Sequence, residues 1–322
     1  MKTALKVLGV VVLVLVLLGF GGFTWARGKN AELLGRTIPV HSVDFPVPFP
    51  LDSAEAADLG VSGPEADAVA LERAVARGRH LVGSRYVCVE CHGDDFGGGV
   101  MIDAPIMGRL LGPNLTTGQG SVTLDYTPAD WDRMVRHGVK PSGNPSAMPS
   151  EDFRLMSDRE LSDIVAYIRS MPPVDEEVPP VTFGPVGTML MATGKLPLSA
   201  DIIGEHQAPH TAFPPEAAAT VAYGAHIGAV CTGCHGQDLA GGPIPGGDPS
   251  WAPAANLTTH ADGLAGWGLD DFVVAMREGR RPDGTTVVAP MDMVVGYTVR
   301  MDDTELEALW MYLQSVEGRP GN

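Results

Sequence analysis

Two short segments contain every cysteine of this 322-residue chain. Both have the pattern Cys-x-x-Cys-His: Cys88-Val89-Glu90-Cys91-His92 in the first half and Cys231-Thr232-Gly233-Cys234-His235 in the second. The pattern is the attachment site of a c-type haem, in which two thiols form thioether bonds to the porphyrin and the adjacent histidine ligates the iron. One helical turn places both sulfurs beside one porphyrin edge and the histidine beneath the iron. The sequence therefore predicts two covalently bound haem c groups.

Other uses of paired cysteines fit this pattern less well. A zinc ribbon has its two cysteine pairs about 15 to 20 residues apart, whereas Cys91 and Cys231 are separated by 140 positions. A thiol-disulfide motif requires a βαβ context and leaves the histidine in both copies unexplained. Haem attachment accounts for both cysteines and the histidine in each segment.

The elements around the two segments repeat as well. The sequence Asn-Leu-Thr-Thr follows both, at residues 114–117 and again at 256–259. A short helix comes next in each half: Thr127 to Gly138 has an N-cap residue, a proline at the first helical position and a terminal glycine, and its counterpart runs from about Asp270 to Gly279. The chain therefore contains two copies of one unit.

The closing helices correspond most closely. Residues 157–160 and 302–305 each form a capping box. Apolar residues follow at helical spacing: Leu161, Ile164, Val165, Ile168 and Met171 in the first half, and Leu306, Leu309, Trp310, Leu313 and Val316 in the second. A further helix is predicted before each cysteine motif, at about Leu71 to Val82 and Pro215 to Ala229. It carries His80 and His226 at equivalent positions, where helix packing or a solvent-facing tip explains them more simply than iron ligation.

This order of elements, repeated in units of roughly 100 residues, resembles the class I cytochrome c fold. The resemblance implies a mainly α protein: two tandem class I cytochrome c domains, each a small helical bundle around a covalently bound haem, plus one N-terminal transmembrane helix. The predicted ranges are 1–27 for a membrane anchor, 28–63 for a tether, 64–172 for the first domain, 173–213 for an extended linker and 214–322 for the second domain.

The resemblance also implies the remaining site residues. In this family a methionine from the loop before the last helix is the sixth iron ligand, opposite the proximal histidines His92 and His235. Met148, followed by Pro149, fits the first domain. In the second domain Met293 precedes Met301 by the same interval as Met148 precedes Met156, but Met291, which follows Pro290, is the alternative.

Backbone and amide groups complete the predicted haem sites. The family places a backbone carbonyl against the proximal histidine, and the corresponding residues here are Pro113 and Ala255. Because the acceptor is a carbonyl, the loss of proline at Ala255 should keep the bond. Asn114 and Asn256 are candidates for contacts to the haem propionates, although bracing their own loops is an equally good explanation. Trp131 and Phe272 are expected to be core aromatics.

The N-terminal region has the length of one membrane crossing. Twenty uncharged residues, Val7 to Ala26, separate Lys6 from Arg27. A helix of this length covers about 30 Å, the thickness of the hydrocarbon core, and Trp25 suits the interface. A cleaved signal peptide is the alternative, although its apolar core is usually about 7 to 15 residues long. Haem attachment outside the bacterial cytoplasm favours a single-pass protein of the inner membrane with its haem domains in the periplasm.

The net charge of −17 argues against nucleic acid or an anionic membrane surface as a partner. It permits docking to basic surfaces, and solubility alone explains it equally well.

The chain resembles membrane-anchored dihaem cytochromes c and the cytochrome subunits of membrane-bound alcohol and gluconate dehydrogenases, although those subunits carry three haem motifs. The resemblance implies an electron-transfer protein rather than an enzyme. Its redox partners would be a dehydrogenase or quinol-oxidising complex on one side and a terminal oxidase or another cytochrome on the other. A dihaem cytochrome c peroxidase is the alternative, which would need one haem with an open or displaceable ligand position.

Overall fold

The computed structural model describes residues 2–244, 247–248 and 250–322. Its regular structure is mainly helical. The first six helices are α1 (Lys2–Gly35), α2 (Ser53–Leu59), α3 (Pro64–Ser84), α4 (Val89–His92), α5 (Pro128–His137) and α6 (Asp158–Ser170). The later helices are α7 (Pro185–Ala192), α8 (Ser199–Ile203), α9 (Val221–Gly228), α10 (Thr232–His235), α11 (Leu269–Glu278), α12 (Met291–Thr298) and α13 (Asp303–Ser315).

The same helix crossing forms the frame of both domains. In the first domain α3 packs across α6, and in the second α9 packs across α13. Both crossings require glycine: a Cβ at Gly78 would lie 2.1 Å from the carbonyl oxygen of Asp163, and one at Gly224 would lie 1.9 Å from that of Ala308. Because these contacts are shorter than real atoms permit, the helix backbones approach closely only without a side chain.

Each domain has its own hydrophobic core. The first is built around Phe96, Trp131, Leu161, Val165 and Ile168, all buried. The second is built around Leu239, Phe272, Leu306, Leu309 and Leu313. The apolar stripes predicted for the closing helices thus face these cores, and the two expected core aromatics are confirmed as buried.

Helix ends follow the predicted capping residues. The Ser157 hydroxyl accepts from the backbone N–H of Glu160, and the Glu160 carboxylate accepts in return from Ser157, which completes the capping box. The same reciprocal bonds join Asp302 and Glu305 at the start of α13. In the second domain the first helix is shorter than expected, because Thr220 caps it and accepts from the N–H of Tyr223 at 3.2 Å.

A small sheet distinguishes the first domain. The antiparallel strands β1 (Gly99–Ala104), β2 (Gly108–Gly112) and β3 (Thr182–Phe183) pair in the order β1-β2-β3. Gly99 lies opposite Gly112, and the pairing shifts between Val100 and Ile102. The sheet fills the chain between the first cysteine motif and Asn114 and joins it to the segment that connects the domains.

The connecting segments contain more helix than the sequence predicts. The extended conformation expected for 173–213 is wrong at α7 and α8, which are too short to give a clear hydrophobic period. Helix α7 is fixed by its contact with α1, where Asn30 Nδ2 donates to the carbonyl of Thr188 at 3.0 Å. In the expected tether, α1 continues to Gly35, and Asp52 caps α2 by accepting from the N–H of Glu55 at 2.7 Å.

Helix α1 is the one helix in the described part of the chain that is long and apolar enough to cross a membrane. The apolar residues from Val7 to Phe20 are exposed throughout. Beyond them the helix enters the protein, where Ala26 and Asn30 are buried. The helix therefore has a lipid-compatible first part and a second part that packs against the first domain.

Candidate haem-binding sites

Both cysteine motifs form a single helical turn. In the first, the N–H of His92 donates to the carbonyl of Cys88 at 3.0 Å, which brings the histidine back beside the first thiol. Helix α10 repeats this turn after Cys231. None of the four cysteines, all within the described residues, forms a disulfide. The thiols are therefore available on one side of each turn, as haem attachment requires.

Burial raises the pKa of the Cys88 and Cys231 thiols to about 12. Burial also raises the pKa of their partners Cys91 and Cys234. Zinc-binding and redox-active cysteines have the opposite property, because their thiolates are stabilised by nearby positive charge or by the metal. The surroundings of these thiols thus disfavour a dithiol redox centre.

The two proximal histidines are held in one orientation. His92 Nδ1 donates to the carbonyl of Pro113 at 2.9 Å, and His235 Nδ1 donates to that of Ala255 at 2.7 Å. Both carbonyls are those that the sequence predicts, and the bond persists where alanine replaces proline. Because Nδ1 carries the proton, Nε2 keeps its lone pair for a metal. Burial lowers the pKa of both histidines, which favours the same neutral form.

The close packing behind the first motif leaves no room for side chains. A Cβ at Gly112 would lie 2.0 Å from the carbonyl oxygen of Cys91, and one at Gly99 would lie 2.6 Å from the same atom. The sheet therefore packs its backbone directly against the backbone of the turn. Two thiols and one oriented imidazole are the donor set that haem c needs, so these residues fit the group.

The methionine loops differ between the domains. Met148 is half-buried and packs against the first core. Its carbonyl accepts a hydrogen bond from the Ser199 hydroxyl, which in turn accepts from the N–H of Ser150 at 3.0 Å. In the second domain Met291 is half-buried and packs against the core, whereas Met293 is 47% exposed. Met293 as a ligand stays a prediction, and the packing favours the alternative, Met291.

Asn114 and Asn256 brace their own loops. The buried Asn114 side chain accepts from the N–H of Thr116 at 2.9 Å and donates to the carbonyl of Val174 at 2.6 Å. Asn256 makes the same pair of bonds, to Thr258 at 2.8 Å and to the carbonyl of Arg319 at 2.7 Å. Each therefore ties the histidine-supporting turn to the chain that follows the closing helix. A contact to a haem propionate stays a prediction for both.

Reciprocal histidine–glutamate contacts join the two domains. His80 Nε2 lies 2.9 Å from Glu305 of the second domain, and His226 Nε2 lies 2.8 Å from Glu160 of the first. These glutamates are the equivalent last residues of the two capping boxes. Between them lies the buried Arg85, whose Nε donates to Glu305 at 2.9 Å and whose Nη1 lies 3.3 Å from Glu160. The domains thus pack about a pseudo-twofold axis through this network.

The sequence places His80 and His226 at equivalent positions but does not identify their partners. The matching positions of the two histidines and of Glu160 and Glu305 are visible in the repeat. Nothing in the sequence says that the two copies pack face to face, so the cross-pairing was not predictable. Arg85 has a tyrosine, Tyr223, as an additional interdomain partner, to which it donates.

A second pair of reciprocal contacts lies at the cysteine motifs. The Tyr297 hydroxyl, near the end of α12, donates to Glu90, which lies between the cysteines of the first motif. At the equivalent position of the second motif, a Cβ on Gly233 would lie 2.1 Å from Asp152 Oδ1. Asp152 lies four positions after Met148, and Tyr297 lies four positions after Met293. The segment that follows the predicted methionine ligand of each domain thus contacts the cysteine motif of the other.

Known families match both halves of the chain. Residues 73–168 match the family described as cytochrome c oxidase, cbb3-type, subunit III, and residues 221–317 match the cytochrome c family. The two matched ranges each contain one cysteine motif with its oriented histidine.

Several curated proteins are similar over most of the chain. The cytochrome c subunit of a quinone-dependent alcohol dehydrogenase from Komagataeibacter europaeus is 27% identical over 264 residues, which is 72% of this chain and 54% of that protein. The gluconate 2-dehydrogenase cytochrome c subunit of Pantoea cypripedii is 28% identical over 285 residues, covering 78% and 61%. One of the nicotinate dehydrogenase subunits of Pseudomonas putida is 26% identical over 260 residues, covering 72% and 20%.

The chain thus spans between a fifth and about three fifths of the length of these relatives. Each family match covers one half of the repeat, with its cysteine motif and its helix crossing. The chain carries two cytochrome c domains and is homologous to the cytochrome c subunits of alcohol and gluconate dehydrogenases.

Proposed function

We propose that the protein carries electrons between a dehydrogenase or quinol-oxidising complex and a downstream acceptor, through two haem c groups, and breaks no substrate bond itself. One observation carries the proposal: in both domains a cysteine pair is followed by a buried histidine whose Nδ1 donates to a backbone carbonyl. A covalently bound haem supplies one-electron chemistry, because its iron alternates between the ferric and ferrous states. The chain's own residues attach, orient and separate the two groups.

The attachment residues follow from the two motifs. Cys88 and Cys91 would hold one haem and Cys231 and Cys234 the other. His92 and His235 would ligate the irons through Nε2. The hydrogen bonds from their Nδ1 atoms keep each imidazole neutral and prevent ring rotation, which preserves one ligand geometry in both oxidation states.

A methionine in each domain would complete the coordination. Met148 is the candidate in the first domain. In the second we favour Met291 over Met293, because Met291 packs against the core while Met293 is exposed. A thioether ligand stabilises reduced iron and raises the potential.

The interface between the domains supports transfer between the two sites. Each ligand loop contacts the cysteine motif of the other domain, through Tyr297 with Glu90 and through Asp152 with Gly233. The buried bridge of Arg85 with Glu160 and Glu305 holds this arrangement. A fixed separation of the two sites keeps the rate of transfer between them constant, and no diffusion step intervenes.

The relatives and helix α1 support the proposed partners and location. A dehydrogenase would be the donor and an oxidase or another cytochrome the acceptor. Helix α1 would cross the inner membrane once, with both domains in the periplasm, where haem is attached. Its second part packs against α7 through Asn30 and Thr188, so the first domain would be held close to the membrane. The net charge of −17 suits basic docking surfaces on partner proteins.

The test is a potentiometric titration of the full-length haem-loaded protein, followed by visible and electron paramagnetic resonance spectra. We expect two low-spin haems at positive potential. Met148→Ala and Met291→Ala should each remove one methionine–iron absorption band and lower one potential, by a sizeable part of the roughly 0.8 V range that axial ligands control. Met293→Ala is the matched control and should change neither.

Two outcomes would contradict parts of this proposal. Loss of the band in Met293→Ala, but not in Met291→Ala, would return the ligand to Met293. A high-spin or strongly negative haem in the unaltered protein, together with reduction of added hydrogen peroxide, would favour the peroxidase alternative over electron transfer.

A further inference from the structure

A cluster of imidazoles lies at the C-terminal end of α5, apart from both cysteine motifs. It contains Asp132 and His137 from α5 and His206 and His210 from the segment that joins the domains. His137 Nε2 lies 3.0 Å from His210 Nε2. Asp132 Oδ1 lies 3.9 Å from His137 Nε2 and 3.8 Å from His210 Nε2. Asp132 and His137 are buried, and His210 is half-buried. Three potential ligand atoms thus converge on one point.

Hydrogen bonds fix the tautomer of His137. His206 Nε2 lies 2.9 Å from the carbonyl of Ala200 and must donate to it. In neutral His206 the other nitrogen, Nδ1, is therefore an acceptor, and it lies 3.1 Å from His137 Nδ1. His137 then carries its proton on Nδ1, and its Nε2 presents a lone pair to His210 and Asp132. The arrangement is the one that a metal-ligating histidine requires.

His210 Nε2 faces the lone pair of His137 Nε2 at 3.0 Å. A proton on His210 Nε2 would be donated to His137. With the proton on His210 Nδ1 instead, two lone pairs face each other and repel unless a cation lies between them.

The spacing of the three atoms suits a metal ion. A triangle with these sides has a centre roughly 2.1 Å from each corner, and Zn–N bonds are about 2.0 to 2.1 Å long.

The surrounding charge permits a cation. Arg136 is fully buried beside the cluster. Its Nε donates to Asp132 Oδ1 at 2.7 Å, and its Nη1 lies 2.7 Å from Asp158 Oδ1. One guanidinium against two carboxylates leaves a net negative charge, and Asp132 Oδ1 would be shared between Arg136 and the cation.

We propose that Asp132, His137 and His210 bind one borderline divalent cation of the zinc class, with water as a further ligand. Two imidazole nitrogens and one carboxylate oxygen suit zinc better than the hard cations calcium and magnesium, which prefer oxygen ligands alone. The ion would tie the interdomain segment to α5 of the first domain. His206, which orients His137, would be a positioning residue.

The test is equilibrium dialysis of the full-length haem-loaded protein against Zn²⁺ after treatment with a chelator, with zinc and iron measured by elemental analysis. Because the haem is covalently retained, the iron content gives the concentration of protein chains. We expect about one tightly held zinc for each pair of haem irons. His210→Gln should weaken zinc binding more than about 10-fold, and His206→Phe should weaken it by about 10-fold.

Two controls keep the result interpretable. His210 is partly exposed, so His210→Gln should fold, and an unchanged haem spectrum checks this. The matched control is His260→Gln, which alters a half-exposed histidine beside Asp262 in the second domain and should retain the zinc. Zinc that persists unchanged in His210→Gln would overturn the proposal. Absence of tightly held zinc from the unaltered protein would also overturn it, and would leave a proton shared by the two imidazoles.

Discussion

The two candidate haem sites have the same turn around the histidine but differ in how the loops with the predicted methionine ligands are supported. In the first domain the loop after Met148 is pinned by Ser199 of α8, and the Ser150 hydroxyl donates to the carbonyl of Met134 at 2.9 Å. In the second domain Met291 begins a helix directly, and Met293 is exposed. The turn around the histidine is set by local sequence, whereas the opposite side of the site depends on the chain that surrounds each domain.

The surroundings explain this difference. The first domain is surrounded by elements that have no counterpart in the second: the small sheet, helix α8, and helix α7 with the second part of α1 packed against it. The second domain has the C-terminal residues instead, where Gly321 donates to Asp262 at 2.8 Å. We therefore regard the first site as the better braced and the second as the more accessible to a partner. Three tests measure how far each domain depends on the other domain and on its own helix crossing.

Arg85→Met should have the largest effect on stability. The change leaves the buried Glu160 and Glu305 without their shared cation, with only His226 and His80 beside them. Removing one partner of a buried ion pair costs about 3 to 5 kcal/mol. Urea unfolding followed by circular dichroism would measure it. We expect a transition at lower urea, and a separation of the two domains before either unfolds.

The matched control for Arg85→Met is Arg280→Met. Arg280 makes an exposed pair with Glu278 at 2.9 Å, so its loss should change the unfolding free energy by less than about 0.5 kcal/mol. Equal unfolding curves for Arg85→Met and the unaltered protein would refute the view that the buried bridge holds the domains together.

Gly78→Ala and Gly224→Ala should come next. Each added methyl group would meet a backbone carbonyl at a helix crossing, and overpacking of this kind costs about 1 to 3 kcal/mol. If the outer elements brace the first domain, Gly224→Ala should lower the unfolding midpoint more than Gly78→Ala does. Differential scanning calorimetry of the haem-loaded protein would compare them.

Gly83→Ala is the control in the same helix as Gly78. Its Cβ would meet Arg300 Cδ at 3.8 Å, an ordinary contact. Alanine favours helix over glycine by about 0.5 to 1 kcal/mol, so this variant should be neutral or slightly more stable. A loss as large as that in Gly78→Ala would mean that the helix crossing is not the cause.

The smallest predicted effect is a pH dependence of domain docking. Burial alone would raise the pKa of Glu305, but the hydrogen bond from His80 and the charge of Arg85 outweigh it and lower the pKa to about 2. Its contribution to stability is therefore present above the ordinary carboxyl range and is lost as pH falls toward 2. The bond to Glu305 raises the pKa of His80 above 6.5, so the contribution of His80 is complete below 6.5 and is lost as pH rises through that raised pKa.

Docking should thus be strongest between about pH 4.5 and 6.5. Thermal unfolding across pH 3 to 9 would measure it, with roughly half-unit steps. His80→Gln should flatten the alkaline side of the profile, while His260→Gln, away from the interface, should not. Because His80 is partly exposed, solvent screens its pair and we expect only a small change in midpoint. If His80→Gln still loses stability at alkaline pH, another titrating group is responsible for that loss.

Much of the fold could be predicted from the sequence. The capping boxes at Ser157 and Asp302 located the closing helices, because a helix start is decided by side chains within four residues. The apolar stripes identified the faces of α6 and α13 that pack inward. Helices α7 and α8 were missed, because eight and five residues are too few to give a hydrophobic period, and their stability comes from contact with α1 and with the Met148 loop.

The candidate sites, like the fold, could be predicted from the sequence only in part. The two motifs and their position before the Asn-Leu-Thr-Thr turns were enough to predict His92 and His235 and the carbonyls that orient them. The sequence spacing did not decide whether Met291 or Met293 is the predicted ligand, because the two residues are only two positions apart. Their burial distinguishes them. The predicted ligand assignments remain to be tested by the spectra proposed above.

What the sequence by itself determined is local: the attachment turns, the oriented histidines, the capped helices and the repeat. Those features depend on bonds between residues close together in the chain, where spacing fixes geometry. The tertiary structure alone decided the cross-pairing of His80 with Glu305 and His226 with Glu160, and the meeting of Asp132, His137 and His210. These contacts join residues up to 225 positions apart, and they form only because the two domains and the joining segment bury their surfaces against one another.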